Sequence, residues 1–370
     1  MRIGWDVHLA GTALPSDVVS PLAALARTRD LGLEGALFRT LYEITPSLDG
    51  AVLSDVADAA KDLDLYLEFG AGMVNPFMTA EQPHVRELGD GSYLAGMERM
   101  IEAAAAVDCH ELWTTTGRFK HGLPASFATD RFRTDTTWSD QLAATENFLR
   151  DLAPCLRHHG THLNLETHEE ITTFELVRLV EAVGDDALGI TFDPANVVMV
   201  GEHPTAAARR IAPYVRMTHL RDVALCFAHG RLTRFVVPCG RGVIRWDALL
   251  EALQDSPSSL NGSIEAVGHS RIPFAMDVHE PRWLAAHPDL TVPEFAGLAE
   301  SAQAYRRAVS AGDRPGFQEL SKPDDALTLE RFAVECADHL RAVSQSLSRD
   351  HASAEATHVP ASQPNTEEFS

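Results

Sequence analysis

The chain has 370 residues, 45% of them apolar and 23% charged, a composition that excludes collagen-like, low-complexity or wholly disordered polymers and leaves room for a large core. Asp and Glu number 53 against 31 Lys and Arg, for a formal net charge of -22. That balance disfavours a nucleic-acid partner, which needs a cationic face to displace phosphate counterions. No run of about 18 uncharged apolar residues occurs, and Met1 to Asp6 shows no basic segment leading into an apolar one. The expectation is a cytoplasmic protein with no membrane span. Its five cysteines, Cys109, Cys155, Cys226, Cys239 and Cys336, are scattered and form no CxxC pair, so neither a disulfide framework nor a zinc ribbon is suggested.

Taken in chain order, short β-branched or apolar runs alternate with longer stretches of 3.6-residue periodicity. Strands are expected at Ile3 to Val7, Leu33 to Phe38, Leu65 to Phe69, His110 to Thr114, His162 to Glu166, Gly189 to Asp193, Val215 to His219 and Gly262 to Glu265. Helices are expected at Val18 to Thr28, Leu53 to Leu63, Tyr93 to Val107, Trp138 to His158, Thr173 to Val183, Ala206 to Ile211, Trp246 to Leu253 and Val292 to Val309. Ser92 and Thr291 stand where helix-capping residues belong. Eight β-then-α units point to an α/β fold closed as a (β/α)8 TIM barrel over residues 1–310. A doubly wound open sheet would usually carry a glycine-rich turn after its first strand, and none is present; Gly70 to Gly72 lacks the remaining glycine of a dinucleotide fingerprint. Two connections are long, Gly70 to Gly91 and Thr115 to Thr137, the second holding Arg118, Lys120, Arg131 and Arg133. Loops of that length are usually functional. A C-terminal helical extension follows over residues 311–347, with its helix from about Asp324 to Leu347, and then a polar tail from Ser348 expected to be disordered.

Active sites of such barrels gather at the carboxyl ends of the strands. There the sequence places Glu166, Asp193, His219 and Glu265, on the fifth to eighth strands. Three carboxylates and an imidazole make an oxygen-rich site suited to one divalent ion, Mn2+, Mg2+ or Co2+, with Zn2+ less favoured. Converging acids would otherwise repel one another. His168, two residues past Glu166, would face the same way on a continuing strand and is a candidate acid or base. Asn196, Arg221, His8, Glu68 and Trp113 are candidate substrate-binding residues, the last as a ring on which a sugar stacks. The pairs His158-His159 and Glu169-Glu170 read as solvated faces, and Arg221 as either a clamp for a carboxylate or phosphate or a surface partner of Asp222.

These residues resemble the xylose-isomerase-like TIM barrels, the sugar phosphate isomerase/epimerase family. The likeness is carried by Glu166-Thr-His168, Asp193-Pro-Ala-Asn196, His219-Leu-Arg-Asp222, Ile264-Glu265, and the Pro238 to Gly242 run before Trp246-Asp247. The resemblance implies that Glu166, Asp193, His219 and Glu265 are metal ligands and that the chain is a metal-dependent sugar or polyol isomerase or epimerase. Such an enzyme would remove a proton next to a carbonyl to give a metal-stabilised enediolate, with Glu166 and Glu265 as the acid/base pair. Asn196 stands where many epimerases of the family carry a second histidine, which keeps a lyase on the same scaffold in view: a C-glycoside deglycosidase acting on a 3-oxo-glycoside, or an inosose-type dehydratase. A non-catalytic binding barrel is a third reading, opposed by the complete ligand set. The expected partner is a small sugar or polyol, and a homo-oligomer or a small accessory subunit is compatible with the chain.

Overall fold

A computed structural model of the chain describes residues 1–7, 9, 20–120, 125–257 and 259–357. All eight expected strands form, with ends shifted by a few residues: β1 (Ile3–Val7), β2 (Gly35–Phe38), β3 (Tyr66–Gly70), β4 (Glu111–Thr114), β5 (His162–Glu166), β6 (Leu188–Phe192) and β7 (Val215–Thr218), with the eighth at Gly262–Ile264. They are parallel throughout, the eighth pairing with β1 and the rest following in sequence order to β7. The seam between β7 and the eighth strand is bridged by the Leu220 N–H donating to the Ser263 carbonyl (2.7 Å) and the Ser263 N–H donating to Thr218 Oγ1 (3.1 Å). The result is a nearly closed TIM barrel. Strands covered on both faces read as apolar runs, as in β1, β2 and β6, where every residue is buried.

The eight expected helices are Pro21–Asp30, Gly50–Asp62, Tyr93–Ala105, Trp138–His159, Thr173–Val183, Pro204–Ile211, Trp246–Ala252 and Val292–Ala311. Their starts follow capping chemistry: Thr172 and Glu175 form a reciprocal capping box, and the Ser92 and Thr291 hydroxyls accept from the N–H groups of Ala95 and Glu294. Gly160 ends the helix before β5 in the left-handed region (φ 62°), where a side chain would be strained.

One element was not expected. A hairpin, β8 (Asp222–Ala228) and β9 (Arg231–Val237), is inserted directly after β7 and joins a short strand past the barrel's last one, giving β10 (Gly262–Ile264, the eighth barrel strand) and β11 (Phe274–Met276). Strands β8, β9 and β11 form an antiparallel sheet in the order β11-β9-β8. Because β8 starts where β7 ends, this sheet stands at the carboxyl-terminal mouth. The long loop after β4 leans on it, with the Ser126 hydroxyl donating to the Ala275 carbonyl (2.6 Å) and the Phe119 and Phe274 rings edge to face at 5.9 Å.

The final helix spans Leu329–Thr357, starting later than expected, with Asp324 held in a bridge to His269; most of the tail expected to be disordered from Ser348 lies beyond it. Residues 358–370 lie outside the described residues. Phe332, Ala333, Cys336, Ala337 and Leu340 of this helix belong to the same hydrophobic cluster as the barrel strands, and Glu330 accepts two hydrogen bonds from Arg27 (2.7 and 2.6 Å). No helix among the described residues is long and apolar enough to cross a membrane.

Candidate metal centre and active site

Glu166 ends β5, His219 follows β7 and Glu265 follows β10. Strand geometry turns these three side chains toward the barrel axis, and one potential ligand atom from each falls within 4.8 Å of the others. His219 Nδ1 is 3.0 Å from Glu166 Oε1 and 4.0 Å from Glu265 Oε2. Its Nε2 is buried and has no hydrogen-bond partner among the described residues, so one lone pair or one proton of this ring is left for something else. Two carboxylates and an imidazole form a mixed O and N donor set that fits a divalent cation.

The fourth expected ligand is placed differently. Asp193 is fully buried, but its Oδ2 accepts from Arg221 Nε (2.8 Å), Arg221 Nη2 lies at 2.5 Å, and its Oδ1 accepts from the Ala195 N–H (2.7 Å). The guanidinium draws it away from the other three. Arg221 is neither a surface residue nor a partner of Asp222: it is 4% exposed, bridges Asp193 and Glu265 (2.7 Å), and donates to Asn196 Oδ1 (3.1 Å). Asn196 in turn points Nδ2 at Glu166 Oε1 (3.5 Å). Arg221 and Asn196 thus sit behind the carboxylates and orient them.

Two residues at the site were missed. Asp6 in β1 and Arg39, just after β2, form an ion pair (2.7 Å), and Arg39 also donates to Glu265 Oε1 (2.8 Å). The strand-end rule that pointed to Glu166 and Glu265 applies equally to these two; in the first half of the barrel it was applied to His8, Glu68 and Trp113 instead. Burial alone would raise the Glu265 carboxyl, but the Arg221 and Arg39 guanidinium groups outweigh it and hold the group below the usual carboxylate range. Burial would lower the His219 imidazole, and the Glu166 carboxylate raises it beyond its ordinary value instead.

A cavity of about 280 Å³ opens beside this group, lined by Arg39, Trp113, Arg118, Glu166, His168 and Glu265 with Thr40 and Thr115 among its polar walls. Trp113 is among the lining residues, and its indole N–H donates to Glu166 Oε2 (3.0 Å) while its ring packs 5.2 Å from His219. Gly70 makes room for this: a Cβ there would meet the Arg39 carbonyl oxygen at 1.9 Å and the Trp113 ring at 2.6 Å.

Three expectations need correction on geometry. His168 does face the cavity, but both ring nitrogens are taken, Nδ1 by Glu170 (2.5 Å) and Nε2 by Glu169 (3.0 Å). Burial opposes its charge, yet the two carboxylates outweigh burial and raise it well above the usual imidazole range, and with both nitrogens paired the ring offers no open nitrogen to the cavity. Glu169 and Glu170 are therefore no solvated pair: Glu170 is fully buried and also accepts from Thr116, and Glu169 lies 3.3 Å from the buried Arg234 of β9. Glu68 does not line the cavity; it lies inside the barrel, accepting from Ser263 (2.5 Å) and Asn261 (3.2 Å) across from β3, and burial pushes its carboxyl up. His8 lies outside the described residues.

A parallel eight-stranded barrel bearing acid, imidazole and guanidinium groups at the carboxyl ends of its strands is the architecture of barrel enzymes. The chain belongs to the xylose isomerase-like TIM barrel family, whose profile matches residues 25–287. It is 25% identical over 270 residues, 72% of this chain and 85% of the relative, to 3-oxo-isoapionate decarboxylase of Pectobacterium atrosepticum. Among solved structures it resembles that of L-ribulose 3-epimerase (TM-score 0.57, 16% identity, 97% of this chain and 99% of that one). It also resembles a xylose isomerase-like TIM barrel protein from Mycobacterium smegmatis in complex with magnesium (TM-score 0.55, 16% identity, 81% and 97% covered). At these identities the structural likeness speaks to the fold.

Proposed function

We propose that the chain is a cytoplasmic, divalent-metal-dependent enzyme that moves a proton at a carbon next to the carbonyl of a small sugar, polyol or oxo-sugar, as an isomerase or epimerase. The observation that carries this reading is the placement of Glu166 and Glu265, from non-adjacent strands, on one cavity and around one imidazole. Glu166, His219 and Glu265 would hold the ion, with Asp193 as fourth ligand once released from Arg221. A divalent cation there would supply Lewis acidity to a carbonyl oxygen and so acidify the neighbouring C–H bond.

The chain's own residues then divide the work. Glu166, faced by the neutral donors Trp113 and Asn196 and by His219, is the group that takes the proton. Glu265, clamped by Arg39 and Arg221 on the opposite side, is the second member of the acid/base pair and passes to the other face a proton that it first takes up from solvent. The cavity is of a size for a single sugar unit.

A lyase is the second reading, favoured by the likeness to a relative named as a decarboxylase. Proton abstraction and loss of a group β to the carbonyl share their first requirement, a stabilised negative charge on the carbonyl oxygen. Incubation of the protein with free sugars, 3-oxo-sugars, oxo-sugar acids and inososes in D2O, with and without a chelator, separates them. Deuterium next to the carbonyl with no loss of water, aglycone or carbon dioxide supports the isomerase; chelator-sensitive release of one of these supports the lyase. Glu166→Gln and Glu265→Gln are each expected to lower turnover by at least about 100-fold with the fold intact, and full activity in both would refute the acid/base assignment.

A further inference from the structure

Of the four cations on the loop after β4, three are already committed. Lys120 pairs with Glu81 and with Asp130 (3.2 Å), Arg131 is buried against Glu175 (2.9 Å), and Arg133 pairs with Asp135 (2.7 Å). Arg118 is the exception. Among the described residues no carboxylate or carbonyl group engages its guanidinium, and it is the one member of the four whose side chain lines the cavity with Glu166 and Glu265 together. Its position is fixed by the backbone: the Arg118 N–H donates to Asp130 Oδ2 (2.8 Å), Phe119 bridges Thr129, and the Lys120 N–H donates to the Ala128 carbonyl (2.7 Å). Gly117 lies so close to Glu170 that a Cβ there would approach its carboxyl carbon to 2.8 Å, which pins the chain just before the arginine.

We propose that the substrate is a sugar acid and that Arg118 is the specificity residue that takes its carboxylate. This rests on the reading of the cavity as the substrate site. The other cationic groups around the cavity are spent on protein acids: Arg39 on Asp6 and Glu265, and His168 on Glu169 and Glu170. A planar guanidinium with free N–H groups matches a carboxylate bidentately, whereas a phosphate site would call for more cations or a backbone N–H cradle. Because Arg118 lines the same cavity as Glu166 and Glu265, a carboxylate bound by the arginine leaves the carbonyl end of the same small molecule to the acids.

The test is calorimetric. The Mn2+-loaded wild type, Arg118→Gln and Arg118→Lys are titrated with uronates and aldonates, each beside its neutral counterpart (glucuronate with glucose, xylonate with xylitol, and so on), and with glucose 6-phosphate. At least one acid is expected to bind the wild type about tenfold or more tighter than its neutral counterpart. Arg118→Gln is expected to cut that advantage to about threefold or less, and Arg118→Lys to retain part of it, with Mn2+ stoichiometry unchanged. The proposal is overturned if no acid outbinds its neutral counterpart, if the advantage survives in Arg118→Gln, or if the phosphate binds more tightly than every carboxylate. Loss of Mn2+ binding in the wild type itself would instead strike the metal-dependent reading.

Discussion

Trp113 shows how one side chain serves both packing and chemistry. Its ring closes the cavity wall against His219, and its N–H supplies a hydrogen bond to Glu166. Trp113→Phe keeps an aromatic ring, though a smaller one, and deletes the donor, so it is expected to lower kcat by about 10- to 100-fold, the cost of losing a partner that orients a metal ligand, with little change in thermal stability. An unaltered kcat would show that Glu166 needs no such support. At this scale the sequence was readable where a polar residue ended a strand, as with Glu166, His219 and Glu265. It was not readable where pairing decides: nothing in the sequence around Asp193 says that Arg221 will pull it aside, and nothing in Glu169-Glu170 says that His168 and the buried Arg234 will neutralise them. Such pairs depend on groups brought together from distant strands.

The elements divide in the same way. The barrel strands and helices follow from periodicity, since each helix buries one face and most strands are buried along nearly their whole length. The inserted hairpin lacks that signal because polar residues interrupt its buried runs, Asp222 at the head of β8 and Thr233 and Arg234 inside β9, and its partner β11 comes some forty residues later. Asp222, the first residue of β8, ties the insertion to the barrel. Its carboxylate accepts from the N–H groups of Val223 (2.7 Å), Gly240 (2.9 Å), Gly242 (3.2 Å) and Ile244 (3.1 Å) and from the Trp246 indole (3.0 Å). This explains at once why an Asp follows Leu220-Arg221 and why glycines precede Trp246: a Cβ at Gly242 would meet Asp222 Oδ1 at 2.2 Å. Asp222→Ala leaves these buried donors without an acceptor and is expected to cost on the order of 3 kcal/mol or more in urea unfolding. A loss below about 1 kcal/mol would mean that the loop is held by other means.

Across the whole molecule, barrel, mouth sheet and C-terminal helix share one core, so stability should respond as a unit to charge forced into any part of it. His287 offers the handle. Its Nδ1 bonds the Trp283 carbonyl (2.8 Å), its ring stacks on Trp283 at 4.0 Å, and burial, with the nearby Arg131 guanidinium, pushes it down to about 3 from an ordinary value of 6.5. The unfolded chain therefore takes up a proton below about pH 6.5 that the folded chain refuses, and stability falls as the pH drops from there toward 3. His287→Gln should flatten that fall in unfolding midpoints measured across the range, and an unchanged slope would assign it to other groups.

The most direct measurement of the function proposed here is an anomalous difference map from crystals of the full chain grown with Mn2+. One peak per chain is expected at the barrel mouth, about 2.0–2.3 Å from a carboxylate oxygen of Glu166 and of Glu265 and from a ring nitrogen of His219, with Asp193 turned off Arg221 toward it. A mouth without a peak at saturating Mn2+, or a peak bound elsewhere while those three side chains keep their pairing with Trp113, Arg39 and Arg221, would contradict it.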